Sequence, residues 1–287
     1  MCASSRRAFL SHTDGNDKRT CADMTMCKGI ELSPEDIARF GDDPAAAFAA
    51  NLENVQMRIL AACQRSDRNR NEVRLLPVTK TVPAHILRHA FSAGISDCGE
   101  NKLQEARDKQ AALSDLPIRW SIIGHLQTNK VKYLVRLASE FHALDSLRLA
   151  EELNRRLDAM DRVLDIFVQV NTSGEASKYG LHPDDLAPFV ERLPDYPRLR
   201  PQGLMTLAVF SADTERVRDC FRLLRNLRDR AVALHPGLTQ LSMGMSGDYE
   251  VAIEEGANVV RVGQAIFGPR PTDDAFYWPN LSQSKPT

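Results

Sequence analysis

Lys80 stands directly after the apolar run Leu75-Leu76-Pro77-Val78-Thr79. A lysine in such a place either extends into solvent or is held partly desolvated. Desolvation lowers its pKa and makes a neutral amine available to attack a carbonyl. Two later segments have the composition of an anion cradle. Ser242-Met243-Gly244-Met245-Ser246-Gly247-Asp248 runs into a helical stretch at 249–255, whose first amides suit a phosphate. Arg261-Val262-Gly263-Gln264 closes another apolar run, with a glycine that admits close backbone approach and a fixed positive charge. Gly-Ser turns are common, so either segment alone is weak; the pair favours a phosphorylated ligand.

Other polar groups also follow apolar runs. Gly99-Glu100-Asn101 reads first as a cap for the next helix and second as a ligand contact. Gly124-His125-Leu126-Gln127-Thr128-Asn129-Lys130 places polar groups at a helix start, and Asn171–Gly180 is a polar loop carrying Lys178, read as a solvated charge. Met205 in Gly203-Leu204-Met205-Thr206 reads first as core filling. The cysteines at 2, 21, 27, 63, 98 and 220 form no CxxC and no zinc-type group, so no metal site and no disulfide framework is expected.

The elements that must position these groups alternate. Short Val/Ile/Leu-rich runs at 73–79, 95–98, 118–123, 140–144, 163–170, 199–206, 238–243 and 258–262 predict eight strands. Between them lie helical patterns, such as Leu147, Ala150, Leu153 and Leu157 behind an Asp145 cap, and Val217, Phe221, Leu224, Leu227, Ala231 and Leu234. Pro83 opens the first of these and Gly94 stops it. Ahead of them, Phe48, Leu52, Val55, Ile59 and Ala62 form an amphipathic helix started by Asp43-Pro44. Alternating βα units imply parallel strands, and eight close most naturally into an α/β barrel; an open doubly wound sheet is the alternative. The polar and glycine-rich residues follow the strands, at the end where barrels do their chemistry. In a closed barrel the eighth strand neighbours the first, so Lys80 faces the anion loops. A phosphorylated aldehyde fits that arrangement, whether the substrate of a Schiff-base aldolase or pyridoxal 5'-phosphate (PLP) held on the lysine.

The chain has 287 residues with 37 Lys+Arg against 38 Asp+Glu, a formal charge of −1. That balance argues against an electrostatic nucleic-acid binder, and charges interrupt every apolar run before it reaches a membrane span. Residues 1–43 lack apolar periodicity and read as a disordered or targeting extension, or as the product of an upstream start with Met24 or Met26 the true one. Arg6 and Arg7 beside Phe9-Leu10 have the form of a transit-peptide start, but Asp14, Asp17 and Asp23 argue against it, which leaves the cytoplasm as the expected compartment.

Read in order, LLPVTKTVPAHIL (75–87), GENKLQEARDK (99–109), IIGHLQTNK (122–130), VNTSGEASKYG (170–180), GLMT (203–206) and LSMGMSGDYEVAIEEGANVVRVGQAIFG (241–268) resemble the pyridoxal phosphate homeostasis protein family. The resemblance covers Pro44 to Gly268. It implies a single (β/α)8 TIM-type barrel like the N-terminal domain of alanine racemase (PLP fold type III), with an N-terminal helix and no second β domain. The divisions expected are an extension at 1–43, the barrel at 44–268 and a tail at 269–287. It further implies PLP as a Schiff base on Lys80, a cradle of Ser246, Gly247, Arg261, Gly263 and Gln264, and Asn101 and Met205 lining the cofactor. Three positions depart from the common family pattern: Cys98 where an aromatic is usual, Ser121 in place of His, and Gln264 in place of Thr or Ser.

Racemases of this fold type draw a tyrosine base from a second, β-rich domain, and the tail after Gly268 is too short to supply one; Tyr277 in it reads as a packing residue. The expectation is therefore a carrier without catalytic residues, acting in vitamin B6 and amino/keto-acid homeostasis, with apo PLP enzymes as recipients and a monomer or weak dimer as its state. A small PLP-dependent racemase or lyase is the alternative.

Overall fold

Eight strands lie where the apolar runs predict them: β1 (Arg74–Pro77), β2 (Asp97–Glu100), β3 (Arg119–Ile122), β4 (Glu140–Leu144), β5 (Leu164–Gln169), β6 (Leu199–Met205), β7 (Gln240–Ser242) and β8 (Val259–Val262). The structure, a computed structural model, describes residues 30–270. All strand pairs are parallel, in the order β1-β8-β7-β6-β5-β4-β3-β2. The two ends of this sheet meet through one parallel bridge, Val78 with Gly99, and the Thr79 N–H donates to Gly99 O at 2.9 Å. The barrel is thus nearly closed, and among the described residues every strand belongs to it. Strands β4 and β8 are buried along their whole length, as expected when helices cover one side and side chains fill the other.

Among the described residues, ten α-helices accompany the strands: α1 (Pro34–Phe40), α2 (Pro44–Arg65), α3 (Ala84–Ser92), α4 (Leu103–Ala112), α5 (Val131–Leu137), α6 (Leu147–Asp158), α7 (Leu186–Glu191), α8 (Thr214–Leu234), α9 (Tyr249–Glu254) and α10 (Gln264–Phe267). Helix α2 begins as its sequence requires, with the Asp43 carboxylate accepting from Ala46 N–H at 3.1 Å and Pro44 in the first turn. Phe48, Val55 and Ile59 form its buried face, and Phe48 meets Phe267 edge-on at 5.2 Å.

Two readings of the helices need correction. Residues assigned to the extension include α1, which a capping box starts: Ser33 Oγ accepts from Asp36 N–H and Asp36 accepts from Ser33 N–H, both at 3.1 Å. Phe40 at its end is buried against Phe48, so the folded part begins before Pro44. The transit-peptide reading, Cys21, Cys27 and Tyr277 lie outside the described residues. Helix α6 is capped by Ser146, whose hydroxyl accepts from Leu149 N–H, and not by Asp145, which turns to His125 instead.

The barrel interior carries a polar chain. His142 on β4 is fully buried; its Nδ1 lies 3.0 Å from Ser242 Oγ on β7 and its Nε2 lies 2.9 Å from Glu140. Strands β4 and β7 are not neighbours, so this contact crosses the interior. Glu140 also accepts from Arg74 at 2.8 Å. The chain therefore runs from one end of the barrel toward the other, where Arg261 donates to Ser242 Oγ at 2.7 Å.

Candidate functional site

A cavity of about 680 Å3 opens at the C-terminal ends of the strands. That volume suits a cofactor-sized ligand. Lys80, Asn101, Ser246, Gly247, Arg261, Gly263 and Gln264 all line it, so one site gathers the expected amine, both anion loops and the arginine. Met205 does not: it is fully buried in the core, and Leu207 and Met245 supply the apolar wall. The core-filling reading of Met205 therefore describes it better than the lining role that the resemblance implies.

The two anion loops are stapled together. Ser246 Oγ accepts from Gly263 N–H at 3.1 Å and from Ala265 N–H at 3.5 Å. Asp248 folds its own loop by accepting from Met245 N–H at 2.5 Å, and burial pushes its carboxyl pKa up. Gly247 has open space where a side chain would begin, as a cradle backbone should. Gly263 is glycine for a different reason, since a Cβ there would lie 3.0 Å from Val78 O, just past the end of the adjoining strand β1. Gly124 serves Asn101 in the same way: a Cβ would fall 2.0 Å from Asn101 O, so the glycine lets the β2 and β3 loops touch.

Arg261 is the buried charge of the site. Its guanidinium donates to Ser242 Oγ and to Thr206 O, both at 2.7 Å. Burial pushes its pKa down to about 10, with Asp248 acting in the opposite sense. It is therefore a cation at neutral pH, and these two acceptors are uncharged. A buried cation held by neutral groups favours an electron-rich or anionic ligand group nearby.

Glu100 neither caps α4 nor reaches the cavity. It is buried between Thr79 Oγ1 at 2.6 Å and Lys109 Nζ at 2.7 Å. Burial raises its pKa against the pull of Lys109, and its Oε2 has no hydrogen-bond partner. Sequence reasoning missed Lys109 although a signal was present: Leu103, Ala106 and Lys109 recur every three residues and form the buried face of α4. Lys178 is likewise not a solvated charge. Its side chain is 8% exposed, donates to Ala208 O at 2.7 Å and pairs with Glu175. Beside it, the Tyr179 ring stacks on His125 at 3.9 Å and 7°, and His125 Nδ1 lies 3.3 Å from Asp145. The β5 loop is thereby drawn over the cavity toward the β3 loop.

Eight parallel strands with a lysine and two anion loops at their C-terminal ends define a barrel of the alanine racemase type, and the family model of the alanine racemase N-terminal domain matches residues 47–271. Pyridoxal phosphate homeostasis proteins of Aquifex aeolicus and Pseudomonas aeruginosa are each 43% identical to the chain. They align over 220 and 225 residues, covering 76% and 78% of this chain and 96% of each relative. PipY of Synechococcus elongatus PCC7942, in its structure with PLP bound, aligns with a TM-score of 0.67 and 32% identity over 77% of this chain and all of that one. The chain belongs to the pyridoxal phosphate homeostasis protein family.

Proposed function

We propose that this protein binds PLP covalently through Lys80 and carries it reversibly, in vitamin B6 and amino/keto-acid homeostasis, without catalytic turnover. The observation that carries the reading is that Lys80, both anion loops and Arg261 line one cavity. These residues fit the cofactor. A lysine amine suits its aldehyde, stapled glycine and serine loops suit its phosphate, and a buried cation with uncharged partners suits an electron-rich ring atom. PLP would supply an aldehyde carbon open to a neutral amine, and Lys80 would be the amine that meets it. Arg261 would bring a standing positive charge, which disfavours protonation of any basic nitrogen beside it. A ring left unprotonated is a poor electron sink, and that favours carriage over turnover.

The second reading, a small amino-acid racemase or lyase, is favoured by His125, which stacks on Tyr179 and touches Asp145 at the cavity rim as an acid/base group would. In the carrier reading the recipients are apo-enzymes that use PLP, and the protein works in the cytoplasm as a monomer or weak dimer. No helix among the described residues is long and apolar enough to cross a membrane.

The test is the visible absorption of the protein loaded with PLP, followed by borohydride reduction and peptide mapping. The label is expected on Lys80, and Lys80→Ala is expected to lose both band and label. A label on Lys178 would move the attachment point, and no band at all would refute the binding. Sustained conversion of any member of a panel of L- and D-amino acids would replace the carrier with the enzyme.

A further inference from the structure

The backbone on both sides of Lys80 is gripped from outside its own strand. Thr79 N–H donates to Gly99 O at 2.9 Å, and Thr79 O accepts from Lys109 Nζ at 2.8 Å and from Val82 N–H at 3.0 Å. The last bond closes a four-residue turn, Thr79-Lys80-Thr81-Val82. Thr81 occupies its third position with φ +67°, in the left-handed region where such turns ordinarily place glycine. Two other non-glycine residues among those described have positive φ, Asp67 and Asp161, and aspartate tolerates that region. A β-branched threonine does not, so Thr81 is the strained one.

Two side chains hold it there. Glu105 on α4 accepts from Thr81 N–H at 2.7 Å and is itself paired with Lys109 at 2.6 Å. Arg39 on α1 donates to Thr81 O at 2.7 Å and to Thr81 Oγ1 at 3.1 Å. Arg39 is fixed in turn: its guanidinium lies 4.6 Å from the centre of the Phe40 ring, and its Nε donates to Pro269 O at 3.3 Å. Helix α1 is tied to α3 by Asp36 and His85 at 2.9 Å. The family match begins at residue 47, so α1 and Arg39 lie outside it.

Relief of the strain at Thr81 means flipping the peptide between Lys80 and Thr81, because the two common forms of this turn differ in that peptide's orientation. The flip would take Thr81 N–H off Glu105 and reverse Lys80 O, and Arg39, by fixing Thr81 O and Oγ1, holds the residue about which that peptide would turn. We propose that Arg39 is a positioning residue: with Glu105 it clamps Thr81 in the left-handed conformation and so aims the Lys80 amine into the cavity. This rests on the reading of Lys80 as the attachment residue.

The test is a cycle of variants in the full chain: Arg39→Met, Thr81→Gly and the two combined, with Lys80→Ala run beside them. PLP affinity is read by absorbance titration, and the fraction fixed by borohydride is mapped to its lysine. Arg39→Met is expected to weaken PLP binding about tenfold and to lower the label on Lys80. Glycine takes positive φ without strain, so in the Thr81→Gly background the same change should weaken binding by less than about twofold. Arg39→Lys, which keeps the charge but not the two-pronged donor, should fall between Arg39→Met and the parent. Should Arg39→Met not fold, Arg39→Lys with and without Thr81→Gly answers the same question. An affinity within about twofold of the parent for Arg39→Met, or an equal loss in both backgrounds, would overturn the proposal. Band and label surviving in Lys80→Ala would instead show that the attachment reading had failed, and the clamp with it.

Discussion

Replacing His142 by glutamine should flatten the dependence of stability on pH between about 6.5 and 5. Burial holds His142 below the usual histidine pKa; the hydrogen bond and charge of Glu140 work against this, while Arg261 and Arg74 reinforce it. In the unfolded chain the same imidazole titrates near 6.5. As pH falls below that value the unfolded state takes up a proton that the folded state refuses, so acidification favours unfolding. The slope cannot exceed about 1.4 kcal/mol per pH unit, so the loss between pH 6.5 and 5 is at most about 2 kcal/mol. Glutamine can keep both contacts, donating to Glu140 and accepting from Ser242, but binds no proton. His89 is also lowered by burial and adds a slope of the same sign to both proteins, so the difference between them isolates His142. Glu140, held low by His142 and Arg74 despite its own burial, contributes only at more acidic pH. The assay is urea unfolding of the PLP-free protein at about pH 7, 6 and 5. The parent should lose more than His142→Gln, by up to about 2 kcal/mol. Equal slopes, or a steeper one in the variant, would show that folded His142 is protonated and would refute the account of a neutral imidazole in the barrel interior.

Other substitutions test the packing around the site. Gly203→Ala would put a Cβ 1.8 Å from Gln240 O across the β6–β7 pair; backbone cannot yield cheaply, so urea unfolding should show a loss of about 3 kcal/mol or more. Lys109→Met leaves Glu100 buried without its cation and should cost about 3–5 kcal/mol, part of which Glu100→Gln should restore in the double variant. Gly124→Ala pushes on the backbone of Asn101, so PLP titration should show affinity weakened by about tenfold while the urea midpoint moves less.

The barrel was legible because buried parallel strands are short continuous apolar runs, and glycines and polar residues punctuate their ends. Lys80, Ser246 and Arg261 were legible because a barrel places its chemistry after its strands. Helix α1 was missed although Ser33 and Asp36 form a readable capping box; the stretch before it is so polar that its one turn-and-a-half of apolar spacing carries little weight. The grip on Thr81 was not readable, since Arg39, Glu105 and Thr81 are distant in sequence and nothing about a threonine announces a left-handed backbone. Met205 shows the limit of transferring a role by position. The strand ends at Met205, and Leu207, two residues further along the chain, is at the cavity wall.

The bond between Ser246 Oγ and Gly263 N–H has a bearing on release. An isolated amide donor at the end of a strand would gain a full partner on meeting a phosphate oxygen and lose it on departure, which favours retention. Here the protein itself already satisfies that donor, so an anion that claims it displaces the serine and the exchange is close to even. Departure then strands no amide, because the hydroxyl swings back. A grip whose two states are nearly balanced makes neither the arrival nor the departure of a phosphate costly, which suits the reversible binding proposed above.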